Sequence, residues 1–241
     1  MANPLAQFEV HTLVPIKVGG VDASLTNAGL FMVLAMAAVT VFVVVGMRHR
    51  SVVPGRWQSM AELSYEFIAG MIRDNVGSEG RKYFPFIFSL FMFILFGNLL
   101  GLIPYSFTFT SHIAVTFALA LMVFVFVTVV GLVRHKLRFF TYFFPAGVPI
   151  ALAPILVPIE IVSYLSRVVS LSIRLFANMM AGHTMMKVFA GFIIPLGIIG
   201  GWAPLAVDVA LTGFELLVAC LQAYVFTVLT CIYLHDAIHL H

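Results

Sequence analysis

The sequence predicts an all-α polytopic membrane protein with about five membrane-embedded helices and one interfacial amphipathic helix. First, 62% of its 241 residues are apolar and only 10% are charged, whereas an ordinary soluble domain is about a quarter charged. Second, continuous apolar runs of about 20 residues, the length that spans a bilayer, recur along the chain. A membrane β-barrel would instead show alternating segments of about ten residues. We therefore expect one membrane-embedded domain, 1–241.

The first predicted span, 25–46, ends close to three arginines, Arg48, Arg50 and Arg56. Basic residues are enriched on the inner side of a membrane, so we expect this end inside and the segment 1–24 outside. That segment lacks the basic start and the apolar core of a signal peptide, so we expect no cleavage there.

The next segment, 57–76, has the pattern of an amphipathic helix. One face is predicted to be apolar and carries Met60, Phe67, Ile68 and Met71. The opposite face is charged and carries Glu62, Glu66 and Arg73. A helix of this kind lies along the membrane interface rather than across it.

A helical hairpin is predicted over 84–133, with spans at 84–104 and 112–133. Arg81 and Lys82 precede the first of these spans, and the basic run "RHKLR" follows the second. Both flanks therefore lie on the inner side by the same rule as before, and the tip of the hairpin faces outside.

Residues 150–234 are expected to form a long tilted hairpin that ends inside. A regular helix can settle only late in its first arm because of four prolines, Pro145, Pro149, Pro154 and Pro158. The two arms, to about 193 and over about 203–234, are longer than an upright crossing requires, and overlong helices tilt. The chain shows no internal repeat, which argues against a two-fold repeated transporter.

Polar residues line one face of the first long arm. Around the helix axis, their positions fall within about 40° of one direction or of the direction next to it. They are Glu160, Arg167, Ser170, Arg174 and Asn178. His183 follows Arg174 by nine residues and so lies about half a turn away, on the opposite face. The arm is therefore predicted to carry two polar surfaces that its own body separates.

Arg174 lies far from either end of this arm. A charge near the centre of a bilayer costs at least about 2.5 kcal/mol. Its guanidinium stays protonated, so it can attract a carboxylate but cannot relay a proton by losing one. No acid lies three or four residues from it. Either a buried acid elsewhere in this chain pairs with it as a structural partner, or the anion comes from another chain.

The second arm carries Asp208, Glu215 and Gln222 at intervals of seven residues, so the three share a face. A carboxyl at Glu215 and an imidazole at His183 can both take up and release protons. The pair, with Gln222 nearby, is a plausible hydrated proton path. A purely structural hydrogen bond between His183 and Glu215 is the alternative.

Two segments, "SLSIRLFANMMAGH" and "GFELLVACLQAYVFTVLTCIYL", resemble subunit a of the F-type ATP synthase. The segments "GNLLGLIPY", "TSHIAVTFALAL" and "PAGVPIALAPILVPIEIVSYLSR" are similar to other parts of that family, and the resemblance runs from "PLAQFE" to the end. The order of histidine then glutamate at positions 183 and 215 resembles the alphaproteobacterial and mitochondrial type. Arg167 departs from family members that have lysine or a neutral residue near that position.

The resemblance implies a stator subunit of a rotary motor, with no catalysis of its own and no cofactor or metal. Arg174 would face the carboxylates of a ring of c subunits, and peripheral-stalk b subunits would be further partners. An outer half-channel would use Asn178, His183, Glu215 and Gln222. An inner half-channel would use Glu160, Ser163, Ser166 and Ser170. The protein would work only within the assembled synthase, in a bacterial inner membrane or, as an alternative, in a mitochondrial inner membrane.

Other functions are less compatible with the residues. An independent ion or solute transporter with Arg174 as a substrate clamp is the main alternative. A haem site needs histidines on facing helices. Only His183 lies deep in a predicted span, and His112 lies near the start of one. No HExxH motif or nucleophile–base pattern indicates an intramembrane enzyme, and no basic cluster indicates nucleic acid. Proton is favoured over sodium by the resemblance alone.

Overall fold

The computed structural model describes residues 8–15, 17–18, 21–22, 24–48, 51–103, 106–136, 139 and 153–239. The all-α architecture is confirmed, and five helices are long and apolar enough to cross a membrane. The helices are α1 (Asn27–Arg48), α2 (Arg56–Asn75), α3 (Phe84–Gly101), α4 (Ile113–His135), α5 (Ala153–Ile193), α6 (Gly197–Gly200) and α7 (Trp202–Ile238). Short 3₁₀ helices at Ser78–Tyr83 and Phe109–Ser111 precede α3 and α4.

Four short strands precede α1, three within 1–24 and the fourth at the first two residues of the predicted span 25–46. Strand β1 (Thr12–Val14) pairs antiparallel with β4 (Leu25–Thr26), and β2 (Lys17–Val18) pairs with β3 (Val21–Asp22). Asn27 fastens this segment to the start of α1. Its side chain accepts a hydrogen bond from the His11 amide at 3.2 Å and donates one to the Glu9 carbonyl at 3.0 Å.

Helix α2 is amphipathic, and the face that it buries in the bundle lies beside the predicted apolar face. Ile68 and Met71 belong to both faces and are buried, whereas Met60 and Phe67 are exposed. The buried face is centred on Ala61, Ile68 and Ile72. Ala61 contacts α1 at Gly46, where an added Cβ would lie 2.8 Å from the Ala61 Cβ. The close approach of α1 favours a small residue here, which a pattern of hydrophobicity alone does not show.

Residues 107–111, which lie between α3 and α4, are buried, and we call them the buried segment. Phe109, Thr110 and Ser111 are each at most 3% exposed. Two glycines on α3 make room for these residues. A Cβ at Gly97 would collide with the Phe109 ring, and a Cβ at Gly101 would lie 2.5 Å from the Thr108 hydroxyl. The absent side chains on α3 therefore allow this segment to pack into the helix bundle.

The two long helices, α5 and α7, pack against each other along much of their length. With 41 and 37 residues, they measure about 61 and 55 Å at about 1.5 Å per residue. A hydrocarbon core is about 30 Å thick, so both helices need a strong tilt to lie in a membrane. Pro158 lies inside α5, while Pro145, Pro149 and residues 150–152 of the predicted hairpin lie outside the described residues.

Replacing Gly97 by alanine tests the packing of the buried segment. We expect the free energy of unfolding to fall by about 1–3 kcal/mol, because the new methyl group forces the Phe109 ring to move. Denaturant unfolding of the protein in detergent measures this change. Gly70→Ala is the control, since a Cβ there meets nothing within 4 Å. An equal change in both variants would show that the glycine at 97 is not required for packing.

Candidate functional site

The two faces of α5 lie in different surroundings. His183 is only 7% exposed and points into the bundle, whereas Arg174 lies on the exposed face of the helix. The described residues include no carboxylate within ion-pair distance of the Arg174 guanidinium. The structural alternative, a buried acid of this chain paired with Arg174, therefore finds no support among these residues.

His183 joins three elements of the fold. Its Nε2 atom lies 3.5 Å from Oε1 of Glu215 on α7. The same atom lies 3.0 Å from the hydroxyl of Thr108, which precedes the 3₁₀ turn before α4. Because α5, α7 and the buried segment all contribute, the position of this imidazole depends on the packing of the whole bundle.

The carboxyl of Glu215 is buried and has few polar neighbours. The residue is 3% exposed, and neither carboxyl oxygen has a hydrogen-bond partner in the described structure. Gly182 makes room for the group, since a Cβ there would lie 2.7 Å from Oε1. Burial of a polar group without hydrogen-bond partners costs free energy. A role in proton exchange is one reason for a protein to retain such a group.

A cleft of about 880 Å³ leads from the N-terminal segment to this cluster. His183 and Thr108 lie at its wall together with charged and polar side chains from the N-terminal segment and both long helices. These are Glu9, His11, Asn27, Lys187, Asp208 and Thr212. Such a lining can hold water and can exchange protons with it, so His183 has a polar route to one end of the bundle.

Gln222 and Asn178 occupy different surfaces. Gln222 is buried at 5% exposure on the side of α7 that carries Glu215, two turns further toward the C-terminus. Asn178 is exposed on α5. Five residues separate it from His183, which corresponds to a rotation of about 140°. The structure thus brings His183 and Glu215 together but leaves Asn178 on the face of Arg174.

The candidate residues of the inner half-channel extend along the same exposed face of α5. Ser163, Ser166 and Ser170 are exposed, and Glu160 is half-buried. The Ser166 hydroxyl donates to the Ser163 carbonyl at 2.7 Å. Together with Arg174 and Asn178 these residues form a continuous polar stripe between exposed apolar side chains such as Val162, Val169 and Ile173. We call this stripe, from Glu160 to Asn178, the open polar face.

Arg167 belongs to a different contact that the sequence analysis missed. Its Nη1 atom donates to Oδ2 of Asp236 on α7 at 3.1 Å. Its guanidinium also lies 4.9 Å from the centre of the Tyr233 ring and 5.7 Å from that of Tyr164. Asp236 continues the seven-residue series of Asp208, Glu215 and Gln222 after one apolar member, Leu229, and that spacing could have revealed it.

The arrangement gives little support to a haem or metal site. Within the described part of the chain, no three or more His, Cys, Asp and Glu residues are placed to hold a metal ion. His112 stacks on the Phe107 ring, with the centres of the two rings 5.0 Å apart.

Comparisons with known proteins agree on one family. The family model described as ATP synthase A chain matches residues 29–235. The chain is 60% identical to ATP synthase subunit a of Paramagnetospirillum magneticum, with 100% of both chains covered. It is 58% identical to that of Pelagibacter ubique, covering 99% of this chain and 98% of the relative. It is 56% identical to that of Rhodospirillum rubrum, with 100% of both covered.

A double-mutant cycle tests whether Arg167 and Asp236 join α5 to α7. Both side chains are about a quarter exposed, 26% and 28%, so we expect a coupling of about 1 kcal/mol between Arg167→Gln and Asp236→Asn. Thermal or denaturant unfolding in detergent measures it.

Arg73 and Asp74 provide the control for this cycle. They lie 3.7 Å apart with side chains 76% and 72% exposed, and their coupling should be close to zero. Additive effects of the Arg167 and Asp236 variants would contradict a direct contribution of this pair to stability.

Proposed function

Since the chain belongs to the ATP synthase A chain family, we propose that it is the stator subunit of a rotary, proton-translocating ATP synthase. In this role it provides two offset proton half-channels and an arginine that faces a ring of c subunits. The observation that carries the proposal is the position of Arg174. It lies on an exposed face in the middle of an apolar helix, and no described carboxylate pairs with it.

The outer half-channel is proposed to follow the cleft. Protons would enter between Glu9, His11 and Asp208 and reach His183, whose Nε2 atom lies 3.5 Å from the Glu215 carboxyl. Gln222 continues the path on the same side of α7. Asn178 would receive the proton on the open polar face, where the carboxyl of a ring subunit waits. Because His183 and Asn178 lie on different faces of α5, the proton would pass around this helix rather than along it.

The inner half-channel is proposed to use the other end of the open polar face. Glu160 supplies a titratable carboxyl, and the exposed hydroxyls of Ser163, Ser166 and Ser170 supply hydrogen-bonding positions for water. The two half-channels would then reach the ring on either side of Arg174. A proton could pass from one to the other only by travelling on the ring.

The role of Arg174 follows from its chemistry. A guanidinium keeps its charge at any physiological pH, so it attracts the ionised ring carboxylate and repels a migrating proton. A protonated ring carboxyl is neutral and can face lipid, which a carboxylate cannot do cheaply. Each proton that crosses 100 mV supplies about 2.3 kcal/mol. Rotation of the ring would transmit this energy to ATP synthesis elsewhere in the complex.

The same proposal assigns the remaining partners and the location. Peripheral-stalk b subunits would hold the subunit against the torque of the ring. The positions of the basic residues support an N-terminus outside and a C-terminus inside. The alphaproteobacterial relatives favour a bacterial inner membrane. Transport of ions by the chain alone in lipid vesicles would instead support the independent-transporter alternative.

Replacing Arg174 by alanine tests the central claim. We expect ATP synthesis driven by a proton gradient to be abolished while the complex still assembles, because no fixed cation then holds the ring carboxylate. Synthesis in membrane vesicles is measured per assembled complex. Arg56→Ala removes an exposed arginine at the start of α2 and should leave synthesis unchanged. Normal synthesis in the Arg174 variant would exclude this role.

Replacing His183 and Glu215 one at a time tests the outer half-channel. Glu215→Gln keeps the shape of the side chain but removes its proton exchange, and His183→Ala removes the imidazole. Each should slow proton flux by at least about a hundredfold, the low end for loss of a proton-transferring group. ATP-driven acidification of vesicles reports the flux. Full flux in both variants would leave these residues with a structural role only.

A further inference from the structure

We propose that Thr108 is a positioning residue for the proton exchange at His183. Its hydroxyl holds the imidazole beside the Glu215 carboxyl and favours one tautomer of the ring. This inference rests on the proposed function, because it requires that protons pass through His183. Thr108 lies in the buried segment between α3 and α4, outside the two helices that carry His183 and Glu215.

The hydrogen bonds of Thr108 form a short directed chain. The hydroxyl donates to the Gly101 carbonyl at 3.1 Å, and Nε2 of His183 lies 3.0 Å from the same oxygen. A hydroxyl has one hydrogen, so once it donates to Gly101 it can only accept from the imidazole. The chain thus assigns the hydrogen of the neutral ring to Nε2 and leaves Nδ1 as the basic atom.

This tautomer suits a transfer that enters by one nitrogen and leaves by the other. A proton from the cleft binds Nδ1 and makes an imidazolium. The Nε2–H bond then breaks, and an O–H bond forms at Oε1 of Glu215, which lies 3.5 Å from Nε2. The neutral ring that remains carries its hydrogen on Nδ1. The Thr108 hydroxyl favours return to the Nε2 tautomer before the next proton arrives.

Thr108 is itself held in place from several sides. It is 6% exposed, and its carbonyl accepts the Ser111 hydroxyl at 2.6 Å. The Gly101 carbonyl also accepts the Ser106 hydroxyl at 3.0 Å. Gly101 itself has no side chain to keep the threonine away, because a Cβ there would lie 2.5 Å from Oγ1. The hydroxyl is therefore fixed before a proton arrives, as orientation of a proton-transferring group requires.

Three variants separate the hydroxyl from the bulk of the side chain. Thr108→Val keeps the shape and removes the hydroxyl, whereas Thr108→Ser keeps the hydroxyl and removes the methyl group. Thr116→Val is the matched control, because Thr116 is also buried and its hydroxyl lies 3.2 Å from that of Ser172 on α5. The control thus removes a hydroxyl between α4 and α5 away from His183.

ATP-driven proton pumping by the assembled synthase in membrane vesicles is the measurement, per assembled complex and as a function of pH. We expect Thr108→Val to pump about tenfold more slowly, a loss on the scale of one hydrogen bond. Its pH profile should move to lower pH, because the imidazolium loses an acceptor for its Nε2–H. Thr108→Ser and Thr116→Val should pump at the unmodified rate with an unmoved profile.

The other ionisable groups around His183 are common to all variants. They are Glu215 and Asp208 on α7, Lys187 on α5, and Glu9 and His11 of the N-terminal segment. A profile that moves only when the Thr108 hydroxyl is lost therefore reports on that hydroxyl. If the valine variant does not assemble, Thr108→Ala carries the same test with the same two outcomes.

Full pumping by Thr108→Val, or equal losses in Thr108→Val, Thr108→Ser and Thr116→Val, would overturn the assignment. The variants His183→Ala and Glu215→Gln, measured alongside, distinguish the two proposals. Full pumping in both of those variants would mean that the outer half-channel itself is wrong. Slow pumping in them with normal pumping in Thr108→Val would refute the positioning role alone.

Discussion

The antiparallel contact between α5 and α7 is the interaction on which the rest of the structure depends. Two polar contacts mark its length: His183 with Glu215 toward one end, and Arg167 with Asp236 toward the other. Between them lie apolar side chains, with Leu171 and Leu175 buried on α5 and Ala223 and Phe226 buried on α7, together with the buried Gln222. Because both polar contacts need one register of the two helices, a slip by one turn would break them together.

This pairing also keeps two kinds of polarity apart. One side of α5 faces α7 and the buried segment and holds His183, while the other side holds the open polar face with Arg174. Burial reduces the freedom of the imidazole and of the Glu215 carboxyl, whereas the exposed guanidinium remains accessible to another chain. The body of α5 thus lies between the buried His183 and the exposed Arg174.

The sequence was sufficient for those parts of the fold and site that depend on local spacing. The five long apolar helices follow from hydropathy, and the opposite directions of Arg174 and His183 follow from the nine residues between them. It was insufficient wherever two distant segments approach closely. The face that α2 buries in the bundle was not predicted because it depends on the packing of Ala61 on Gly46, and Thr108 was overlooked because nothing in its neighbourhood marks it as a partner of His183. Contacts of this kind arise from packing density, which periodicity does not encode.

The glycines at 101 and 182 carry a consequence for sequence divergence. Each holds open the space that one polar side chain fills: Thr108 opposite Gly101, and Glu215 opposite Gly182. A larger residue at either glycine is compatible with the packing only if the opposite side chain becomes smaller or moves away. At each glycine, the residue that the packing tolerates thus depends on the side chain opposite to it. Exchange of histidine and glutamate between 183 and 215 would in turn alter the residue tolerated at 182.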